Sequence, residues 1–356
     1  MKTMIKLSLL FLVLVFLCQC DKYQAAVFIP DELFLDALIE QGIDKNGDGI
    51  ISPGEAEETI SINVNGLGIS DLTGIRAFVN LDTLFCWYNK LSALDVSSNK
   101  ALKHLLCDEN QLSTLDISNN PALEGLSCGN NLLSTLDVSN NPALKYLVFN
   151  DNQISSIDIT ANPALEILWC PYNQLATLDV SNNMKLRKLT CHENSLSQLD
   201  VSSCSELSVL GCGSTGLTAL DLSNNPLLVE LWCSGNQLST LDISRQSHLE
   251  ILFCPDNQLT SLDVSSNPEL VKLHCSRNSL TSLDVSIASV LIYFSCGRNQ
   301  LTHLDISNNT LLQEIGITEM VSLHEVCVWT LPFPPEDVDV LYYGSLNVTF
   351  TTDCSQ

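Results

Sequence analysis

The dipeptide Leu-Asp returns at Leu94, Leu115, Leu136, Leu178, Leu199, Leu220, Leu241, Leu262, Leu283 and Leu304, and Ile157-Asp158 fills the gap. Every step is 21 residues (115 − 94, 136 − 115 and onward), without an insertion over eleven copies. A unit this short cannot bury its apolar face alone, so the units must stack around one continuous core. A chain of 356 residues would otherwise suggest two or three domains.

A typical unit reads Leu102-x-x-Leu105-x-Cys107-x-x-Asn110-x-Leu112, then Leu115-Asp116-Ile117-Ser118-x-Asn120-Pro121-x-Leu123. Alternation sends Leu105 and Cys107, then Leu115 and Ile117, into the core. The expected fold is a mainly β repeat solenoid with two short strands per 21-residue coil and a small helical amino-terminal cap. At about 4.8 Å per coil the array is roughly 50 Å long. Asn110 and its equivalents can turn inward to satisfy backbone groups at the bend, with Thr215 breaking that ladder.

The first half of the unit matches the leucine-rich-repeat signature. The whole resembles the 21-residue class of bacterial leucine-rich repeats over most of the chain. The expected segments are a signal peptide over 1–20, a cap over 21–60, the solenoid over 61–319 and a carboxy-terminal cap over 320–356.

The chain opens with Lys2 and Lys6 and an apolar run from Leu9 to Leu17, too short to span a membrane and suited to export. Leu17-Cys18-Gln19-Cys20-Asp21 follows and resembles the relaxed lipoprotein boxes of Bacteroidetes, with Cys20 rather than Cys18 as the expected lipidated residue. An ordinary secretory signal is the alternative. Both place the folded part outside the cytoplasm, with membrane contact only through the lipid. The 16 Lys+Arg against 41 Asp+Glu give −25, which disfavours nucleic acid and anionic membrane surfaces as partners.

Ten of the 15 cysteines share one register, from Cys86 and Cys107 to Cys296, with Phe149 in the missing rung. Stacked parallel neighbours hold Cβ atoms near the strand spacing of about 4.8 Å, beyond the roughly 3.8 Å a disulfide wants. Buried thiols acting as small hydrophobes are expected there. Cys327 and Cys354 lie beyond the array and are expected to form a disulfide. The aspartates from Asp95 to Asp305 form an outward stripe, either hydrogen-bonded and solvated or weakly calcium-binding.

In the cap, residues 31–41 have helical apolar spacing after Pro30. Asp44 to Glu55 then matches a twelve-residue EF-hand loop: Asp44, Asn46 and Asp48 at positions one, three and five, Gly49 at six, the Ile50 carbonyl at seven, Ser52 at nine and Glu55 at twelve. One structural Ca2+ is expected; a metal-free turn is the alternative. Residues 60–81, with Ile69-Ser70-Asp71-Leu72-Thr73-Gly74-Ile75, resemble an internalin-like first repeat. The cap resembles that of Bacteroidetes leucine-rich-repeat surface proteins.

Outward positions on the first strand are free of the core rule. They carry Phe85, Trp87, Tyr146, Trp169, Trp232, Phe253 and Tyr293, with Tyr172 just past the strand. Exposed aromatics on a rigid sheet suit recognition. On the first strand His104, His192 and His274 fall four coils apart, about 19 Å, so no pair of them can share a proton or metal. No enzyme is expected. The expected function is a cell-surface recognition module for a protein partner, host-derived or bacterial. A glycan-binding surface protein and a structural or adhesive spacer are the alternatives.

Overall fold

The computed structural model describes residues 26–345 and 348–354, so Cys18 and Cys20 lie outside the described residues. Each coil places three residues in a strand, beginning with Ser61–Asn63, Thr83–Phe85 and His104–Leu106. Fourteen such strands form one parallel sheet. The register advances by 22 at the start (Ser61 to Thr83), by 21 along the array, as in Thr83 to His104 and Tyr146 to Ile167, and by 25 at the end (Glu314 to Asp339). The constant step along the array keeps each rung of side chains opposite its equivalent, which is why the core is a set of columns rather than a mosaic.

Leu84, Leu91, Leu102, Leu105 and Leu112 are fully buried, and the thiol column from Cys86 to Cys296 lies beside them. Phe149 fills its rung of that column at 0% exposure, so the slot is apolar. All ten thiols of the column are free and buried, as is Cys204. Burial pushes Cys212 and Cys296 up to about 12, which keeps them protonated at neutral pH.

The bend after each strand is built twice over. Residues two beyond the Cys slot, among them Tyr88, Glu109, Asp151, Tyr172, Glu193 and Arg277, take φ between 51 and 56°. Gly235 holds the same rung with φ 63°. The next residue is the inward asparagine. Asn110 Nδ2 donates to the carbonyls of Cys86, Cys107 and Asp108 at 3.0–3.1 Å, and its Oδ1 accepts the Leu91 N–H at 3.0 Å. At the broken rung, Thr215 Oγ1 reaches Cys212 O at 2.8 Å. A second asparagine column sits in the opposite turn, where Asn120 Nδ2 donates to Val96 O and Asn99 O.

The second half of the coil departs from expectation. Only one bridge, Asp95 to Asp116, joins neighbouring coils there until the carboxy-terminal end. Asp116 Oδ1 accepts the Ser118 N–H at 2.9 Å, and Asp137, Asp158 and Asp179 repeat this with Ser139, Thr160 and Ser181. Asp305 captures the Ser307 N–H in the same way and still pairs with the next coil, so this capture is compatible with pairing and does not by itself prevent it. A second sheet forms only where His303–Asp305, Glu325–Cys327 and Thr349–Thr351 pair, at the end of the array.

Both ends of the array are closed. The α1 helix, Glu32–Glu40, buries Phe34, Ala37 and Leu38 on the first coil. Its N-cap Asp31 also accepts the Ser70 N–H at 2.9 Å, tying cap to repeat. Gln41 Oε1 accepts the Asn63 N–H, covering part of the first strand's open edge. The α2 helix, Pro53–Glu58, begins with a Ser52/Glu55 capping box. At the far end Cys327 is disulfide-linked to Cys354, with Cα atoms 5.6 Å apart. No helix among the described residues is long and apolar enough to cross a membrane.

Candidate functional site

The strand rule leaves two outward positions per coil on the main sheet. Because the register is constant, an aromatic in one coil stands directly beside its equivalent in the next. Trp232 and Phe253 meet this way, stacked with centroids 4.3 Å apart. Tyr293 reaches back over one coil to stack on Phe253 at 5.9 Å and 8°. His274 sits between them, edge-on to Phe253 at 5.4 Å and to Tyr293 at 6.1 Å. Burial holds His274 below its ordinary range, so it is neutral at pH 7. Trp232 Nε1 donates to Glu230 Oε2 at 3.1 Å, fixing the indole. Four coils thus present one continuous aromatic group in which Phe253 is stacked on both sides.

The remaining sequence-expected residues do not join it. Trp169 is 44% exposed and makes no ring contact among the described residues. Tyr172, just past the strand, meets His192 edge-on at 5.3 Å. Tyr146 is exposed and Phe85 half-buried, each without a ring partner among the described residues. Trp87 lies against Tyr88 at 6.5 Å. Those two stand beside a shallow bay lined by Gly66, Gly68, Tyr88, Lys90 and Glu109. His274 completes the aromatic group yet carries no aromatic-residue signal of its own; its place between Phe253 and Tyr293 in the register was the available clue.

Other histidines lie elsewhere. His248 faces Glu269 at 3.2 Å and His303 faces Glu325 at 3.2 Å, both pairs on solvated surface. The aspartate stripe is held by its own hydroxyls and amides. Hydrogen bonds from the Ser118, Ser139 and Thr160 hydroxyls and then their amides hold Asp116, Asp137 and Asp158 below the ordinary carboxylate value.

In the cap loop, Asp44 accepts the N–H groups of Gly47, Asp48 and Gly49 at 2.8–3.3 Å. Gly47 and Gly49 take φ 71 and 82°, which glycine supplies without strain. Glu55, 8% exposed, folds back so that Oε1 accepts from Lys45 and Asn46 while Oε2 accepts from Ser52. The two ends of the loop are therefore brought together by carboxylates. The donor set of Asp44, Asn46, Asp48, Ile50 O, Ser52 and Glu55 is all oxygen, which fits a hard cation such as Ca2+. Its carboxylates rest on loop amides, and binding an ion would redirect Glu55 from these.

No protein-family model and no curated protein matches this chain. Solved structures do. The functional domain of InlJ from Listeria monocytogenes, described as including a cysteine ladder, is 30% identical. The match covers 85% of this chain and 77% of that one, with TM-score 0.76. The leucine-rich-repeat protein LIC12759 of Leptospira interrogans is 24% identical over 76% of this chain and 78% of its own, with TM-score 0.69. The internalin InlF of Listeria monocytogenes is 20% identical over 81% and 95%, also with TM-score 0.69. These last two share the fold.

Proposed function

Because this chain belongs to the internalin-like leucine-rich-repeat proteins, whose fold is typical of protein-interaction modules, we propose that it is a recognition protein binding a protein partner through the outward face of its main sheet. The observation that carries this is the Trp232–Phe253–His274–Tyr293 group. A pyranose needs a free ring face, and the central Phe253 has both faces stacked, on Trp232 and Tyr293. Apolar side chains of a protein pack well against such a cluster. The group is also uncharged at its centre, because His274 is neutral.

Glycan binding is the second reading, and the exposed Trp87 and Tyr88 beside Lys90 and Glu109 favour it. The test is a screen of residues 21–356 against surface-protein and glycan libraries, beside a Trp232→Ser/Phe253→Ser variant shown to stay folded. A protein hit lost in the variant and indifferent to soluble sugars supports the first reading. A hit that survives the variant, or one that sugars displace, contradicts it.

Export and lipid anchoring through Cys20 extend this proposal and rest on the first 20 residues. Display at the cell surface would put the sheet within reach of host or neighbouring-cell proteins. One Ca2+ held by Asp44, Asn46, Asp48, Ile50, Ser52 and Glu55 would clamp the cap onto the first coil. Its support is the twelve-position match together with the all-oxygen donor set of the loop.

A further inference from the structure

The row Trp169–Thr190–Gly211–Trp232 crosses four paired strands in register. Its two ends are exposed indoles and its two middle members are small and buried. Thr190 is only 6% exposed, and its Cγ2 lies 3.0 Å from where a Gly211 side chain would begin. Gly213 extends the low floor, since a Cβ there would stand 3.1 Å from Ser234 O. The result is a trough between two tryptophans about 14 Å apart, three strand spacings wide. Trp169 has no ring on either face among the described residues, and Trp232 stacks on Phe253 through one face only.

One mouth of this trough is cationic in a chain of −25. Sixteen lysines and arginines are spread over 356 residues, yet Lys185, Arg187 and Lys188 fall within four. All three are exposed, and none forms an ion pair among the described residues. Two other cations beside the strands are neutralised, Lys103 by Asp82 at 2.6 Å and Lys145 by Glu124 at 2.7 Å, while Lys272, at the strand position of Lys188, is exposed and also without an ion pair among the described residues. Arg187 and Lys185 have Glu166 and Glu206 one coil away. Lys188 has none, because its register neighbours are Ile167 and Val209. His192, at the other mouth, is held below its ordinary range by burial and adds no charge at pH 7.

We propose that this trough seats an extended acidic peptide segment of the partner, its carboxylates on Lys188 and Arg187 and its apolar side chains between Trp169 and Trp232. This rests on the protein-binding reading and names the chemistry recognised. Size favours a segment over a globular surface. A footprint of about 14 by 10 Å is roughly a fifth of the ~800 Å² per partner that a stable globular interface buries. An unpaired cation lowers the cost of desolvating an incoming carboxylate, and the surrounding acidic surface disfavours that carboxylate elsewhere.

The test is fluorescence anisotropy of labelled decapeptides with the full-length chain. Alternating Glu/Leu, Gln/Leu and Lys/Leu peptides are the probes, with polygalacturonate as a competitor class. The Glu/Leu peptide is expected to bind, and the other two to bind at least about tenfold more weakly. Lys188→Glu and Trp169→Ser should each weaken the Glu/Leu peptide about tenfold or more, while Lys100→Glu leaves it unchanged. Absent binding, equal binding of all three peptides, indifference to Lys188→Glu, or binding of polygalacturonate alone would each overturn the proposal. If a partner were lost in Trp232→Ser/Phe253→Ser but retained in Lys188→Glu, the face would stand and the acidic trough would fall.

Discussion

Replacing Asn131 by Ala removes one rung of the inward ladder from the middle of the array. Its Oδ1 accepts the Leu112 N–H at 3.0 Å, and its Nδ2 donates to Cys107 O, Cys128 O and Gly129 O at 3.0–3.1 Å. The three carbonyls keep other donors, from Asn110, Asn152 and Glu109 respectively, so their loss is partial. The Leu112 amide loses its acceptor outright. An unpaired buried N–H costs about 1–3 kcal/mol, and three weakened bonds add roughly 1 more. The expected destabilisation is therefore about 2–4 kcal/mol. Asn131→Thr should cost only a few tenths of a kcal/mol less, because a hydroxyl can keep one carbonyl bond as Thr215 does but leaves the Leu112 amide orphaned. Urea unfolding followed by circular dichroism gives both values, and hydrogen exchange at Leu112 reads the orphaned amide directly. A loss under about 1 kcal/mol for Ala, or unchanged protection at Leu112 in either variant, would refute the reasoning.

Three further outcomes follow from the same columns. Glu193→Gly should stabilise by about 0.5–1 kcal/mol in urea melts, because φ 53° is strained for Glu and free for Gly, whereas Gly235→Ala should destabilise. The stripe aspartates titrate lower folded than unfolded, so their stabilisation is full above the ordinary value near 3.8 and is lost as pH falls through the lower folded values; Thr160→Ala should flatten that loss in melts taken from pH 6 to 2. Millimolar Ca2+ should raise the melting temperature, by an amount worth about 1–3 kcal/mol, and Glu55→Gln should abolish the rise.

Much of this architecture is legible in the sequence because the repeat leaves few choices. Once Leu105 and Cys107 must point inward, the strand, its register and the thiol column follow. Phe149 in a Cys slot announces an apolar environment, and the structure buries it completely. Asn110 could be expected to turn inward from its place after the strand. What the pattern hides is where alternation stops short of pairing. Leu115-Asp116-Ile117 alternates as a strand does, yet among the described residues a single bridge, Asp95 to Asp116, joins coils there before His303–Asp305. The left-handed column is equally silent, since Tyr88, Glu109 and Arg277 are not residues that announce φ near 55°. The candidate site was legible as a list of outward aromatics but not as a geometry. Reach decides which of them meet: Tyr293 spans two coils to Phe253, while Trp169, facing Thr190 and Gly211, has nothing to stack on.

The most direct test of recognition by the main sheet is hydrogen exchange of residues 21–356 with and without a protein partner found in the screen. Protection concentrated in the strands from Glu230–Trp232 to Tyr293–Ser295 and their following turns is the expected result. Protection confined to the aspartate stripe or the cap, with those strands unchanged, would contradict it.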